Sequence, residues 1–283
     1  MSSPSYGTTN NSHPANANGN DEITPLLNSS NSGRNGTKSR SIGRHMRQNI
    51  STRHADIVLL VCYTVTGLLD SSSISIWQSF VSMQTGNTVY LGLGLANPSG
   101  GTRWIKAATS VFCFCFGSFI FARYHRAFSP RKRWVLVSSH IFQTFLIMVA
   151  ALIVMYDPAD GDFDKSGELR WQVLVPIALV AFQAAGQAVT SRALKFNALT
   201  SVVLTSIYCD LFSDMNLFAE LTTNVERNQR ATAPVALLVG AIAGGLWAKS
   251  DFGMKAALWT AAGLKACIVL AWILWKGEKE EDE

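Results

Sequence analysis

The chain has 283 residues, 48% of them hydrophobic and only 15% charged, with a net charge of +5. The apolar residues stand in long blocks rather than at an amphipathic period, and no alternation over about ten residues suggests a membrane β-barrel. The fold class is therefore all-α, a polytopic helical membrane protein in a lipid bilayer. The positive residues flank the apolar blocks, so the charge concerns orientation and argues against nucleic acid as a partner.

Residues 1–54 are rich in Ser, Asn, Gly and Thr and are expected to form a disordered cytosolic tail. Within it Glu22, Leu26 and Leu27 match an acidic dileucine sorting signal. Such a signal implies an adaptor complex as partner and a vacuolar or endosomal membrane, with the plasma membrane as the alternative. Arg34, Lys38, Arg40, Arg44, Arg47 and Arg53 then precede the first apolar block, which places the N-terminus in the cytosol. The sequons at Asn10, Asn28, Asn35 and Asn49 should therefore stay unmodified. The first apolar run begins only near Ile57, so no signal peptide is expected.

The stretch Asp56 to Asn97 is apolar enough for a bilayer but is interrupted by Asp70, by Ser71-Ser72-Ser73 and by the knot Gln84-Thr85-Gly86-Asn87. Unpaired backbone groups cost several kcal/mol in hydrocarbon, so irregular backbone at that depth must be covered by protein or line a wet cavity. A broken span lining a site is expected. The stretch Trp171 to Asp214 repeats the plan, Gly67 aligning with Gly186 and Thr85-Gly86 with Thr205-Ser206, at an offset of about 120 residues.

Further apolar blocks lie at about 105–122, 134–156, 171–190, 196–215, 233–249 and 255–275. The connector Arg123 to Arg133 is basic with no acid and should be cytosolic; the connector Asp157 to Arg170 is mostly acidic and should lie opposite. Both assignments hold if each interrupted stretch crosses once. That gives six crossings in two pseudo-symmetric, inverted halves (55–156 and 171–275), followed by a charged tail at 276–283. Eight crossings in two parallel groups of four is the alternative. The acidic connector lacks the glycine and glutamate of an EF-hand and reads as a solvated loop. The five cysteines all fall in apolar segments and read as small buried hydrophobes.

Gly67 with Asp70, Phe80-Val81-Ser82 and Thr85-Gly86-Asn87 resemble the signature of the YoaK-like family, domain of unknown function 1275, over about residues 55–275. Gly186-Gln187-Ala188 and Leu204-Thr205-Ser206 resemble its fungal members, with Ser206 where many relatives have glycine. The resemblance implies a multi-pass membrane protein that looks like a small-molecule permease, of no established substrate class.

Thr66, Asp70, Ser73 and Trp77 share a helical face, and an ionisable group at that depth must meet a cavity or a partner. Asp70 thus either binds a solute or proton, or caps the broken helix. Thr85, Gly86 and Asn87 supply a hydroxyl, an amide and an opened backbone, suited to a solute or to a close helix crossing. Gln183, Gln187 and Thr190 share a face ahead of Arg192 and Lys195, and Ser206, Asp210 and Asp214 follow at four-residue spacing. Arg192 is a candidate partner of Asp70 or Asp210, and Lys265, mid-block, a candidate partner of the same carboxylates. Gly240-Ala-Ile-Ala-Gly244 suits close packing within the chain or a homodimer. His140 reads as a packing residue. No hydrolase, metalloprotease or nucleotide-binding motif is present, so no enzyme and no cofactor are expected, and transport would be driven by a gradient. The reading is a secondary transporter or permease of a small polar or ionic solute, the site comprising Asp70, Thr85, Gly86, Asn87, Gln187, Arg192, Asp210 and Lys265. The alternative is a membrane scaffold or lipid-interacting protein.

Overall fold

The computed structural model describes residues 43–156, 169–196, 198–199 and 203–278. Glu22, Leu26, Leu27 and most of the acidic connector lie outside them. Among the described residues the longer elements are eight helices: α1 (Ala55–Trp77), α2 (Gln84–Ala96), α3 (Arg103–Ala127), α4 (Arg133–Met155), α5 (Trp171–Ala193), α6 (Leu204–Phe212), α7 (Val225–Lys249) and α8 (Gly253–Leu274).

Length divides them. Helices α1, α3, α4, α5, α7 and α8 have 22 to 25 residues and are apolar enough to cross a membrane. At 1.5 Å per residue they reach about 33 Å or more, enough for a hydrocarbon core of about 30 Å. Helix α2 has 13 residues and α6 nine, reaching about 20 and 14 Å, too short to cross. Among the described residues six helices, not eight, are therefore long and apolar enough to cross. Of the block expected over 196–215, the helix among the described residues is α6; Lys195 before it is left-handed at φ 63, and after it the Asp214 carboxylate accepts the Asn216 N–H at 2.8 Å, a local turn that competes with helix.

The first interruption also lies elsewhere than expected. Helix α1 runs unbroken through Asp70 and Ser71-Ser72-Ser73 to Trp77. Ser72 donates to Leu68 O at 2.9 Å and Ser75 to Ser71 O at 2.7 Å, so these hydroxyls are satisfied by the helix itself. The break falls at 78–83, opened by Gln78 at φ 59, and the knot Gln84–Asn87 is the first turn of α2.

Backbone pairing gathers three segments at one end of the molecule. Asn49 bridges Lys132 and Ile50 bridges Gly277, joining the chain before α1, the basic α3–α4 connector and the chain after α8. The fully buried Arg133 guanidinium donates to His45 O and Trp275 O across the same joint. At the other end Arg103, which opens α3, donates to Gln78 O at 2.8 Å and lies 3.5 Å over the Tyr90 ring. Asp70 stands seven residues before Trp77, about 10 Å below the end of α1. Since Asp70 binds the 78–83 loop, that loop dips into the bundle and α2 returns to the end it left.

Helices α1 and α5 form the centre: 67% of the most apolar window of each is buried, against 28% in α3 and 17% in α7. Phe112, Phe116 and Phe119 of α3 and Leu238, Ile242 and Leu246 of α7 point outward, the expected lipid-facing surface. Helix α7 crosses α1 at glycines. A Cβ on Gly67 would strike Leu237 O, and one on Gly240 would strike Thr64 O. The Gly240–Gly244 pattern therefore serves packing within the chain. Helix α3 crosses α5 in the same manner, with Gly117 against Phe182 O and Gly186 against the Phe121 ring. Of the cysteines only Cys62 is buried; Cys115, Cys209 and Cys267 face outward, where an apolar thiol is equally at home in lipid.

Candidate functional site

The break between α1 and α2 is built from two polar residues. Asp70 Oδ1 accepts the backbone N–H groups of Val81 and Ser82, each at 2.9 Å, and Oδ2 accepts the Ser82 hydroxyl. Asn87, fully buried on the first turn of α2, accepts the Phe80 N–H at 3.0 Å and donates to Phe80 O at 2.8 Å. Its amide also donates to Gln84 Oε1 and to Ser110 of α3, each at 3.0 Å. Ser73 donates to Ser79 O. The backbone groups freed by the missing helical turn thus find side-chain partners, which is what irregular backbone at this depth requires.

Beside this loop lies a cavity of about 420 Å³, partly open to the outside. Gln84, Thr85 and Gly86 at the start of α2 and Leu204 and Thr205 at the start of α6 border it, together with Ser82, Phe114 and Arg192. The two short helices thus bring their N-termini to one space. Neither N-cap residue, Met83 or Val203, caps its helix with its own side chain, and at α2 the Asp70 carboxylate accepts the Met83 N–H. The first N–H groups of a helix have no partner within it and carry partial positive charge, so both ends favour acceptors and anions. Ser82 also lines a second, small cavity of about 10 Å³, closed in by Thr66 of α1 and by Gln183 and Gln187 of α5. Gln187 Nε2 donates to Thr66 Oγ1 at 2.8 Å and to Cys62 O at 3.0 Å. Gln183, 1% exposed, holds its Oε1 with no hydrogen-bond partner.

The structure brings some of the expected residues together and separates others. Thr85, Gly86 and Arg192 line the outer cavity and Gln187 the inner one. Asp70 and Asn87 line neither; both sit behind the loop and hold it. The expected pairing of Arg192 with Asp70 or Asp210 is not made among the described residues, since Arg192 faces the cavity and Asp210 lies exposed on α6. Lys265 does not meet a carboxylate either: fully buried, it donates to Gln143 Oε1 of α4 at 2.7 Å. Rotation of α8 toward α4 decides this, and spacing within one helix carries no information about it. His140 packs as expected, its Nδ1 2.9 Å from Leu136 O and its ring on Trp272. Sequence reasoning missed Ser110, one of three hydroxyl residues in the apolar run of α3, and named Ser82 only within the family signature, without a role.

Six apolar spans, with two short helices whose starts border one cavity, define a multi-pass helical membrane protein. Residues 58–271 match the model of the family described as Protein of unknown function (DUF1275), and the chain belongs to that family. No curated protein and no solved structure matches it.

Proposed function

We propose that the protein is a secondary transporter or permease for a small polar or ionic solute, built from two inverted halves and most similar to the fungal-type, YoaK-like members of its family. The observation that carries this reading is the cavity of about 420 Å³ bordered by the N-termini of both short helices. Half-helices that end at a common polar cavity between spans are the usual construction of a solute site in carriers. The element order supports the two halves: helices of 23, 13, 25 and 23 residues are followed by helices of 23, nine, 25 and 22. Gly67 and Gly186, equivalent by the offset, each sit at a close crossing.

In this reading Thr85, Gly86, Arg192 and Gln187 contact solute, while Asp70 and Asn87 are positioning residues. Asp210 and Lys265 stand apart from the path. The basic end, with Arg47, Arg131, Lys132 and Arg133, lies in the cytosol together with the N-terminus. The dileucine tail directs the protein to a vacuolar or endosomal membrane through an adaptor complex.

The test is uptake by the full chain reconstituted in liposomes, using a panel of radiolabelled small polar metabolites. Saturable uptake of a panel member, lost when Thr85→Trp fills the cavity without touching Asp70 or Asn87, supports a carrier. Unsaturable leakage alone, equal in both proteins, points to a scaffold.

A further inference from the structure

The end of the molecule where three segments join carries an open recess of about 540 Å³, lined by Gly43, Met46, Arg47, Lys132 and Trp134. It shares no residue with the solute cavity. Its walls are held in place. The His45 ring bonds to Ile273 O at 2.9 Å and the His45 carbonyl accepts from Arg133, which ties the turn over 43–47 to the start of α4 and the end of α8. Met46 packs on the core cluster that contains Ile50, Leu136 and Trp272. Asn49, two residues after Arg47, bridges Lys132, so both cations of the recess belong to one joint.

The charge of the recess is one-sided. Arg47 and Lys132 are exposed, and among the described residues neither makes an ion pair. Glu278, the acid of the joint, is taken by Arg131 at 3.5 Å.

Its surroundings place it at the membrane surface. Trp134, on the first turn of α4, meets Phe128 and Tyr124 with ring centroids 5.1 and 6.4 Å away, an aromatic group of the kind that sits at headgroup level. Arg123 lies back over the outward Phe119 ring at 5.1 Å, as a basic side chain does when it snorkels to the interface. Two turns on from Trp134, Ile141, Phe145, Met148 and Leu152 continue its face of α4 at three- and four-residue spacing, all exposed and apolar. A cationic recess therefore opens beside a strip of surface suited to hydrocarbon. A free anion would match the charge and leave that strip unused, whereas a phospholipid matches both.

We infer that this recess binds an anionic phospholipid, its headgroup at Arg47 and Lys132 and its acyl chains on the α4 face beyond Trp134. The site does not depend on the carrier reading.

The experiment titrates the full chain, purified in detergent, with phosphatidylserine or phosphatidylcholine and reads the lipid-bound fraction by native mass spectrometry. Phosphatidylserine should bind about tenfold more tightly than phosphatidylcholine, and Arg47→Gln and Lys132→Gln should each weaken it about fivefold. Arg126→Gln removes an exposed charge from the same end of the molecule but outside the recess, and should stay within about twofold. All three positions are exposed, so an unchanged melting temperature is expected and reports the fold. Excess glycerol 3-phosphate should leave phosphatidylserine bound. Equal affinity for the two lipids would overturn the inference, as would a loss in Arg126→Gln equal to that in Arg47→Gln, which would mark diffuse charge rather than a site. Displacement by glycerol 3-phosphate would overturn it in favour of a free phosphate ester. A tenfold gain on deleting the acidic residues 279–283 would overturn it in favour of that tail as the occupant.

Discussion

Asp70 holds Ser82 by both backbone and side chain, Oδ1 taking the Ser82 N–H at 2.9 Å and Oδ2 its hydroxyl. A carboxyl group two-thirds of the way along one span thus fixes the turn from which the next helix starts. Removing it leaves the N–H groups of Val81 and Ser82 without their acceptor. Asp70→Ala should therefore cost about 3 kcal/mol or more, Asp70→Asn less, and Ser82→Ala about 1 kcal/mol. Thermal melting of the detergent-purified chain checks the order. Full stability in Asp70→Asn together with lost uptake would move Asp70 from positioning into direct solute contact.

The crossing of α1 and α7 depends on missing side chains. A Cβ on Gly67 or Gly240 would run into backbone carbonyls of the other helix, and backbone does not yield as a flexible side chain does. Gly67→Ala and Gly240→Ala should each destabilise by about 2–3 kcal/mol through forced separation of the helices. Gly92→Ala and Gly263→Ala, where nothing lies within 4 Å, should stay within about 0.5 kcal/mol. A melting series on the four variants distinguishes this account from one in which any glycine change is harmful.

Lys265 donates to Gln143 Oε1 between α8 and α4 at 2.7 Å, and the Gln143 amide donates in turn to the Ser139 hydroxyl at 3.3 Å. Each single change, Lys265→Met or Gln143→Leu, leaves the other group buried without that partner, and each should cost about 2–3 kcal/mol. The double variant should be more stable than the sum of the singles predicts, by about 1 kcal/mol or more. A double-mutant cycle from chemical denaturation measures the coupling. Strict additivity would mean that Lys265 has some other essential partner.

Six crossings and the gathered ends fix which segments share a side of the membrane. On a background lacking the native cysteines, Ser129→Cys and Gly277→Cys should react with an impermeant thiol reagent from one face. Ser99→Cys and Ser250→Cys should react from the other. Applied to intact and to permeabilised vesicles, the labelling pattern also tells whether the basic end is cytosolic, as its charge predicts.

The spans, their number and the two short helices were legible because bilayer thickness and connector charge constrain them independently of packing. Glycine spacing around Gly240 likewise announced a close crossing. The position of the first break was not legible, since Ser71-Ser72-Ser73 looks like an interruption but Ser72 bonds back into its own helix and Ser73 reaches Ser79 O beyond it, while the left-handed Gln78 gives no warning in its letter. Pairing across helices was hardest. Arg192, Asp210 and Lys265 were plausible partners by charge, yet Lys265 meets Gln143, Asp210 points outward and Arg192 faces the cavity. Those outcomes follow from helix rotation, which depends on contacts more than a hundred residues apart, as with Lys265 and Gln143 at a separation of 122.

The central claim is that the space between the starts of α2 and α6 is a path for solute, and accessibility at Thr85 tests it most directly. With Thr85→Cys as the sole cysteine in oriented proteoliposomes, a small impermeant thiol reagent is applied first to one face and then to the other. A carrier exposes this position to each side in turn, so reaction from both faces is expected, slowed by any solute that the uptake panel identifies. Reaction from one face alone, unchanged by every solute tested, would contradict the account and leave a sealed intramembrane bundle with a surface recess.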